Sequence, residues 1–227
     1  MDHETTMETT KARILTAAEG HAAFEGWSAA TLKAALAESQ TDPGLGHALF
    51  PRGGLDLAVA YHQKGDRAMQ AALAAQDLDA LRYSARVALA IRLRLEAADK
   101  ELVRRGSALF SLPQHAAEGA KLIWSSADAI WRALGDTSTD INYYSKRTSL
   151  SAVYGATVLY WLGDQSEGNT ETWAFLDRRI ENIMQFDKAK AAVQKNPLAK
   201  ALLQGPLRFL GRINAPAPQN DLPGSQK

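Results

Sequence analysis

An all-helical fold is predicted from three features of the amino-acid sequence. Nearly every segment carries apolar residues at helical spacing. No segment alternates apolar and polar residues as a strand does. The breaks fall on helix-stop and helix-start residues: Gly26 ahead of Ser28, Asp42 before Pro43, Gly53-Gly54, and Asn196-Pro197.

The first helix is expected over about 9–24, with Ile14, Leu15, Ala18 and Ala22 on one face. Gly26 ends it. Ser28 has the short oxygen-bearing side chain of an N-cap, and Trp27 ahead of it is placed as a hydrophobic staple for a second helix at about 29–38. Asp42-Pro43 opens a short third helix that stops at Phe50-Pro51. Gly53-Gly54 leads into a fourth, reaching about residue 75. Further helices are expected at about 78–97, 100–110 and 113–134. A small polar loop spans 135–140. The helix after it, about 142–162, carries Leu150, Val153, Tyr154, Val158 and Trp161. A loop at 163–170 ends on Thr170, the expected cap of a helix at 171–193. Asn196-Pro197 starts a last helix reaching Ile213. Residues 1–8 and the Pro/Asn/Gly/Ser-rich residues 215–227 are expected to be disordered.

A chain of 227 residues can bury one sizeable core, or one core and a small lobe. Apolar residues make up 46% and charged residues 22%, which excludes a disordered chain and a polytopic membrane protein. No apolar run approaches the ~18 residues of a membrane span. The lack of cysteine excludes a disulfide framework, a zinc ribbon and a thiol nucleophile. The net charge of +1 hides an acidic head and a basic tail. Residues 1–50 hold three basic side chains against seven acidic ones, whereas residues 188–213 hold six basic ones and no acid. Asp2, Glu4 and Glu8, with no apolar stretch between them, fit neither a secretory signal nor an arginine-rich presequence. That reading places the protein in a bacterial cytoplasm, peripheral on the inner membrane.

Residues that carry chemistry are not gathered into any known catalytic spacing. None of His3, His21, His47, His62 and His115 stands three residues after a glutamate, so the Glu-x-x-His pair of di-iron bundles is missing. There is no His-Glu-x-x-His, no Gly-x-Ser-x-Gly elbow and no Gly-Lys pair for a phosphate loop. Gly44 and Gly46 begin a dinucleotide-like pattern that Leu49 interrupts. The expectation is a non-enzyme with no catalytic residue, metal or cofactor.

The second and third helices, joined by residues 39–41 and followed by Phe50-Pro51-Arg52-Gly53 and a longer helix, give an order that resembles the tetracycline-repressor-like fold. A recognition helix needs base-reading donors and phosphate-binding cations. The third helix has no Arg, Lys, Asn or Gln, and its surroundings are acidic. Residues 9–52 are therefore expected to be a degenerate helix-turn-helix domain that binds no nucleic acid. A ligand-responsive transcriptional regulator is the rival reading.

On a helical wheel of residues 194–214, Leu198, Leu202, Leu203, Leu207, Phe209, Leu210 and Ile213 fall in one half. Lys200, Arg208 and Arg212 fall in the other. A purely cationic polar face suits anionic lipid, so this segment is expected to contact a membrane surface. Gly205-Pro206 should kink it.

The stretch Gly135-Asp136-Thr137-Ser138-Thr139-Asp140-Ile141-Asn142-Tyr143-Tyr144 is the most specific in the chain. Asp140 or Asn142 can cap the helix that follows. With Phe24-Glu25-Gly26-Trp27-Ser28, Leu49-Phe50-Pro51-Arg52-Gly53, Asp56-Leu57-Ala58 and Thr172-Trp173-x-Phe175-Leu176, it strongly resembles the coenzyme Q biosynthesis accessory family, over about residues 10–213. That resemblance implies a tetracycline-repressor-like fold that has lost DNA binding. It implies a helical domain, here 53–193, with an apolar cavity for isoprenoid quinone intermediates, and a C-terminal helix that touches the membrane. It also implies presentation of the lipid to demethoxyubiquinone hydroxylase or an equivalent enzyme, through a surface matching Ile130, Trp131, Tyr143, Tyr144 and Arg147. A homodimer is expected by analogy. Candidate lipid-binding residues are Leu122, Leu150, Val153, Tyr154, Val158, Trp161 and Phe175. Leu89, Ile91, Leu93, Leu95, Ile123 and Ile183 are further candidates for the cavity wall.

Overall fold

A computed structural model describes residues 2–195, and among them there are nine α-helices, one 3-10 turn and no strand. The helices are α1 (Asp2–Glu25), α2 (Ala29–Glu38), α3 (Pro43–Leu49), α4 (Gly54–Ala74), α5 (Tyr83–Glu96), α6 (Lys100–Phe110), α7 (Ala116–Ala133), α8 (Ile141–Gly163) and α9 (Thr170–Lys195). The expected membrane-contacting helix and the tail after it lie outside the described residues.

Short polar side chains set the helix starts where local chemistry is strong. Ser28 Oγ accepts the Thr31 N–H at 3.2 Å and opens α2. Asp42 accepts from Leu45 at 2.9 Å ahead of Pro43 in α3. Asp99 accepts from Glu101 and Leu102 and opens α6. Asp140, not Asn142, caps α8, taking the Asn142 N–H at 3.0 Å. Capping of this kind contributes about 1 kcal/mol per site.

Elsewhere the bounds differ from expectation for identifiable reasons. The α1 helix begins at Asp2, so residues 2–8 are helical where a disordered start was expected. The Thr10 hydroxyl donates to Thr6 O, and Lys11 pairs with Glu8 along this first stretch. The α5 helix starts five residues later than expected. Asp77 takes the Asp79 N–H at 3.1 Å, an aspartate turn that competes with helix. A turn around Pro113, closed by His115 N–H to Leu112 O, delays α7 to Ala116. Thr170 is the first residue of α9 and not its cap. That role passes to Asp164, which receives the Thr172 N–H at 2.9 Å and is held well below its ordinary pKa by hydrogen bonds from Ser166 and Thr172.

The helices close around two apolar cores. Ile14, Leu15, Ala18, Leu32, Leu36 and Phe50 from α1–α3 pack on Leu57 and Ala58 of α4 and Leu102 of α6. Met69, Leu73, Ile91, Leu95, Ile130, Leu150, Tyr154 and Leu176 form the second, between α4, α5, α7, α8 and α9. Trp27 is buried in the first core with Leu32, the residue a staple at this position would meet, and it also ties that core to α4 and α6. Its indole N–H donates to Leu102 O at 3.1 Å, and its ring lies 5.2 Å from that of Tyr61 on α4. Gly53-Gly54 makes this junction possible. Gly53 has φ +60°, and a Cβ on Gly54 would stand 2.4 Å from Trp27 O.

A second close approach lies deeper. Arg94 of α5 is buried, donates through Nε to Asp66 Oδ1 of α4 at 2.7 Å and through Nη2 to His62 O at 2.9 Å. Its guanidinium lies against Gly65, where a Cβ would stand 2.4 Å from Nη1. In an open helix position, Gly→Ala stabilises by up to about 1 kcal/mol. Gly20 of α1, with nothing within 4 Å of its would-be Cβ, should show that gain, and urea unfolding of Gly20→Ala should shift to higher midpoint. Gly65→Ala should shift the opposite way, by about 1–3 kcal/mol of overpacking against a pinned ion pair. Equal shifts for the two variants would contradict this packing.

Candidate functional site

Where α4, α5, α6, α7 and α8 meet, their faces do not close on one another. They leave a pocket of about 310 Å³ beside Trp27. One wall comes from α6, with Leu102, Val103, Gly106, Ser107 and Phe110. Another comes from α7 with Ala116, Gly119, Ala120, Leu122 and Ile123, and a third from α8 with Tyr154, Gly155, Val158 and Leu159. Ala58, Tyr61 and His62 of α4 and Arg94 and Leu95 of α5 complete it. Small side chains hold the space open. A Cβ on Gly155 would meet only Ile123, at 3.9 Å, and one on Gly106 would meet only the Trp27 ring, at 3.7 Å. Leu159, 69% exposed, marks the mouth. Other clefts are ringed by charged groups, such as Asp77, Asp79 and Arg132, or Arg82, Asp177 and Glu181.

The pocket has one polar end. His62 Nε2 stands 2.7 Å from Ser126 Oγ, which donates to Asp66 Oδ1 at 2.7 Å. Asp66 is also the acceptor for Arg94, and the buried Tyr154 lies beside Ser126. Burial, and then the adjacent Arg94 charge, push His62 down to about 4 against the opposing pull of Asp66. The imidazole is therefore neutral at pH 7. Burial pushes the Tyr154 phenol up, so it keeps its proton.

Of the candidate lipid-binding residues, Leu122, Tyr154 and Val158 line this pocket, as do Leu95 and Ile123. Leu150, Val153, Trp161 and Ile91 sit in the filled second core, and Leu89, Leu93 and Ile183 pack at its margin. Phe175 lies apart, on the outer seam of α8 and α9, stacked on Tyr160 at 4.5 Å. His62, Arg94 and the α6 wall were not anticipated. The signal for Arg94 was present: it lies on the same α5 face as Val87, Ala90 and Ile91, where a charge demands a buried partner.

The residues expected to meet a partner divide in two. Ile130 is wholly buried and Trp131 is 8% exposed. Arg147, 2% exposed, is taken up internally. It bonds Asp128 at 2.5 Å and Asp136 at 3.1 Å, and lies over the Tyr143 ring at 3.6 Å. Burial alone would raise the Asp136 carboxyl, yet bonds from Lys146, Ser138 and Arg147 hold it below its ordinary value. This network braces the 135–140 loop. It leaves Tyr143 and Tyr144, half-buried and edge to face at 5.1 Å, as the aromatic surface there. Trp124 stands 6.4 Å from Tyr144.

Residues 116–187, spanning α7, α8 and most of α9, match the COQ9 family model. The chain is 31% identical to the mitochondrial ubiquinone biosynthesis protein COQ9 of Drosophila melanogaster over 78% of its own length and 56% of the relative's. It is 31% identical to that of Homo sapiens over 85% and 63%, and 30% to that of Rattus norvegicus over 85% and 64%. The chain thus spans somewhat more than half the length of these relatives. Among solved structures, a TetR transcriptional regulator from Nitrosomonas europaea superposes with a TM-score of 0.62 at 19% identity, covering 75% of this chain and 95% of that one. That likeness establishes the tetracycline-repressor-like fold. The expectation of a bacterial cytoplasmic protein, peripheral on the inner membrane, is corrected by the relatives' names, which are those of mitochondrial proteins of eukaryotes. It had rested on three acidic side chains near the start, and they do not identify a compartment.

The depressed His62 value makes stability depend on pH in one direction. The unfolded chain takes up a proton below the ordinary value of 6.5, whereas the fold does so only near 4. Stability from this group is full above pH 6.5 and is lost as pH falls toward 4, with about 2 kcal/mol gone by about pH 5. Urea unfolding midpoints at these pH values should differ more for the wild type than for His62→Gln. The same pH dependence in both would rule out His62 as its source.

Proposed function

We propose that this chain, whose residues 116–187 match the COQ9 family model, belongs to that family and serves ubiquinone biosynthesis as a non-enzymatic carrier. In this reading the pocket between α4 and α8 holds a prenylated quinone intermediate. The protein presents it, at a membrane surface, to the enzyme that hydroxylates the ring. The observation that carries the reading is the pocket itself: an apolar space kept open by Gly106 and Gly155 where a filled core would close. At about 310 Å³ it lies at the small end of the ~300–1,000 Å³ typical of ligand sites. It has room for a ring and the first part of a chain, and the remainder leaves past Phe110 and Leu159. A prenyl chain in a bilayer is already among hydrocarbon. Moving it against Val103, Ile123 and Val158 replaces lipid by protein at little cost, whereas moving it into water would cost about 0.8 kcal/mol per CH₂.

The hydroxylase would meet Tyr143, Tyr144 and Trp124, residue types that dominate protein interfaces. A transcriptional regulator is disfavoured by α3. Its Pro43-Gly44-Leu45-Gly46-His47-Ala48-Leu49 offers no arginine or lysine to phosphates, which supply most of the affinity for duplex DNA.

Mass spectrometry of organic extracts from the purified protein tests the carrier reading. Wild type should yield prenylated quinones, and Gly155→Leu, whose side chain grows into the pocket, should yield at least about tenfold less with no loss of melting temperature. Extracts free of prenyl lipid, or a gel shift with duplex DNA, would overturn it. Tyr144→Lys should keep the quinone yet weaken pull-down of a demethoxyubiquinone hydroxylase; undiminished capture would remove the tyrosine pair from the partner surface.

A further inference from the structure

A purely apolar pocket would suffice for a chain of isoprene units. This one instead has His62 of α4, Arg94 of α5 and Tyr154 of α8 in its wall, backed by Asp66 of α4 and Ser126 of α7. Arg94, Asp66, Ser126 and Tyr154 are each more than nine-tenths buried. Taking such groups out of water is costly unless they find partners. Their mutual bonds offset part of that cost but do not use every donor. Two of Arg94's five N–H groups are placed among the described residues, on Asp66 and on His62 O. Arg94, His62 and Tyr154 all contribute to the pocket wall.

The charge balance of this end decides what it can receive. Arg94 is already neutralised by Asp66 at 2.7 Å, and His62 and Tyr154 carry no charge at pH 7. A carboxylate or phosphate placed here would leave a net buried negative charge, and an ammonium a net positive one. A neutral oxygen acceptor leaves the balance unchanged and takes up N–H and O–H donors.

We propose that this polar end is the seat of the ring. It receives the carbonyl, hydroxyl or methoxy oxygens of an uncharged quinoid or phenolic head, which enters first, while the prenyl chain runs along α6 and α8 to the mouth at Leu159. The inference rests on the carrier reading above and fixes the ligand's orientation and charge class. It also explains why only a few apolar positions of α7 and α8, such as Leu122 and Val158, face the pocket. The site needs a short apolar channel leading to a polar stop.

Isothermal titration calorimetry with three chain-matched probes tests it. These are a short ubiquinone with two isoprene units, geranylbenzene, whose ring lacks oxygens, and geranic acid, an anion. Wild type should bind the quinone at least about tenfold more tightly than geranylbenzene, the worth of one or two hydrogen bonds, and geranic acid most weakly. Tyr154→Phe, which removes one oxygen and little volume, should lose about fivefold or more for the quinone and nothing for geranylbenzene. The paired change Asp66→Asn with Arg94→Gln, which leaves no lone buried charge but loosens the α4–α5 register, should lower quinone affinity by more than geranylbenzene affinity. Circular dichroism melting confirms that each variant folds. Equal quinone and geranylbenzene affinities in wild type, a tyrosine variant with unchanged quinone affinity, or preference for geranic acid would each overturn the ring seat while leaving apolar carriage intact. Binding of none of the three probes would instead overturn the carrier reading, and the seat with it.

Discussion

Arg94 and Asp66 face each other across α4 and α5 with almost no water in reach, and much of the larger helical body is arranged around that meeting. A buried ion pair contributes little net stability, because desolvation offsets the attraction, but removing one partner costs about 3–5 kcal/mol. Its value is positional. Gly65 lets the guanidinium lie against α4, the His62 carbonyl takes a second N–H, and Ser126 brings α7 to the same carboxylate. Apolar helix faces tolerate small slides past one another; these directional bonds do not. The relative register of α4, α5 and α7 is therefore specified by charge, and the apolar residues of the second core fill the geometry so fixed.

The pocket is a consequence of the same arrangement. Polar groups at its inner end keep α4, α5 and α8 from collapsing there, and Gly106 of α6 and Gly155 of α8 keep the walls thin. On another face of α8 the packing is filled. Leu150, Val153 and Trp161 interlock with α5, α7 and α9 into a filled core. One helix thus serves two purposes along two of its faces: Tyr154, Gly155, Val158 and Leu159 toward the pocket, and the remaining buried residues toward packing.

The architecture was largely legible in the sequence because its signals are local. Ser28, Asp42, Asp99 and Asp140 each open a helix through one or two short-range bonds, and α2 and α6 have the bounds that periodicity gives. Misplaced bounds came from competing local bonds, as at Asp77, Pro113 and Asp164, or from helix persisting through a polar start, as in α1. The site was legible only in part. Leu122, Tyr154 and Val158 were named, but apolar periodicity does not separate a residue facing a void from one facing Leu150 or Ile91, since both are apolar and inward. The aromatic and basic residues near the 135–140 loop show the converse case. Arg147 has the composition of a partner contact, yet two aspartates eleven and nineteen residues earlier in the chain hold it inside. Such distant pairings have no short-range signature.

Trp27 belongs to two bodies at once. Its ring packs within the first core and forms part of the pocket wall, and its N–H is fastened to α6. Occupancy of the pocket is therefore thermodynamically linked to the integrity of α1–α3, helices from which the ligand receives almost no contact of its own. A molecule that binds only the folded form at a hundred times its dissociation constant raises global stability by about 2.7 kcal/mol. Through the indole, that increment extends to the helix-turn-helix-like bundle. The helix-turn-helix-like bundle would thereby buttress the pocket, and an occupied molecule would resist proteolytic nicking at a distance from its ligand.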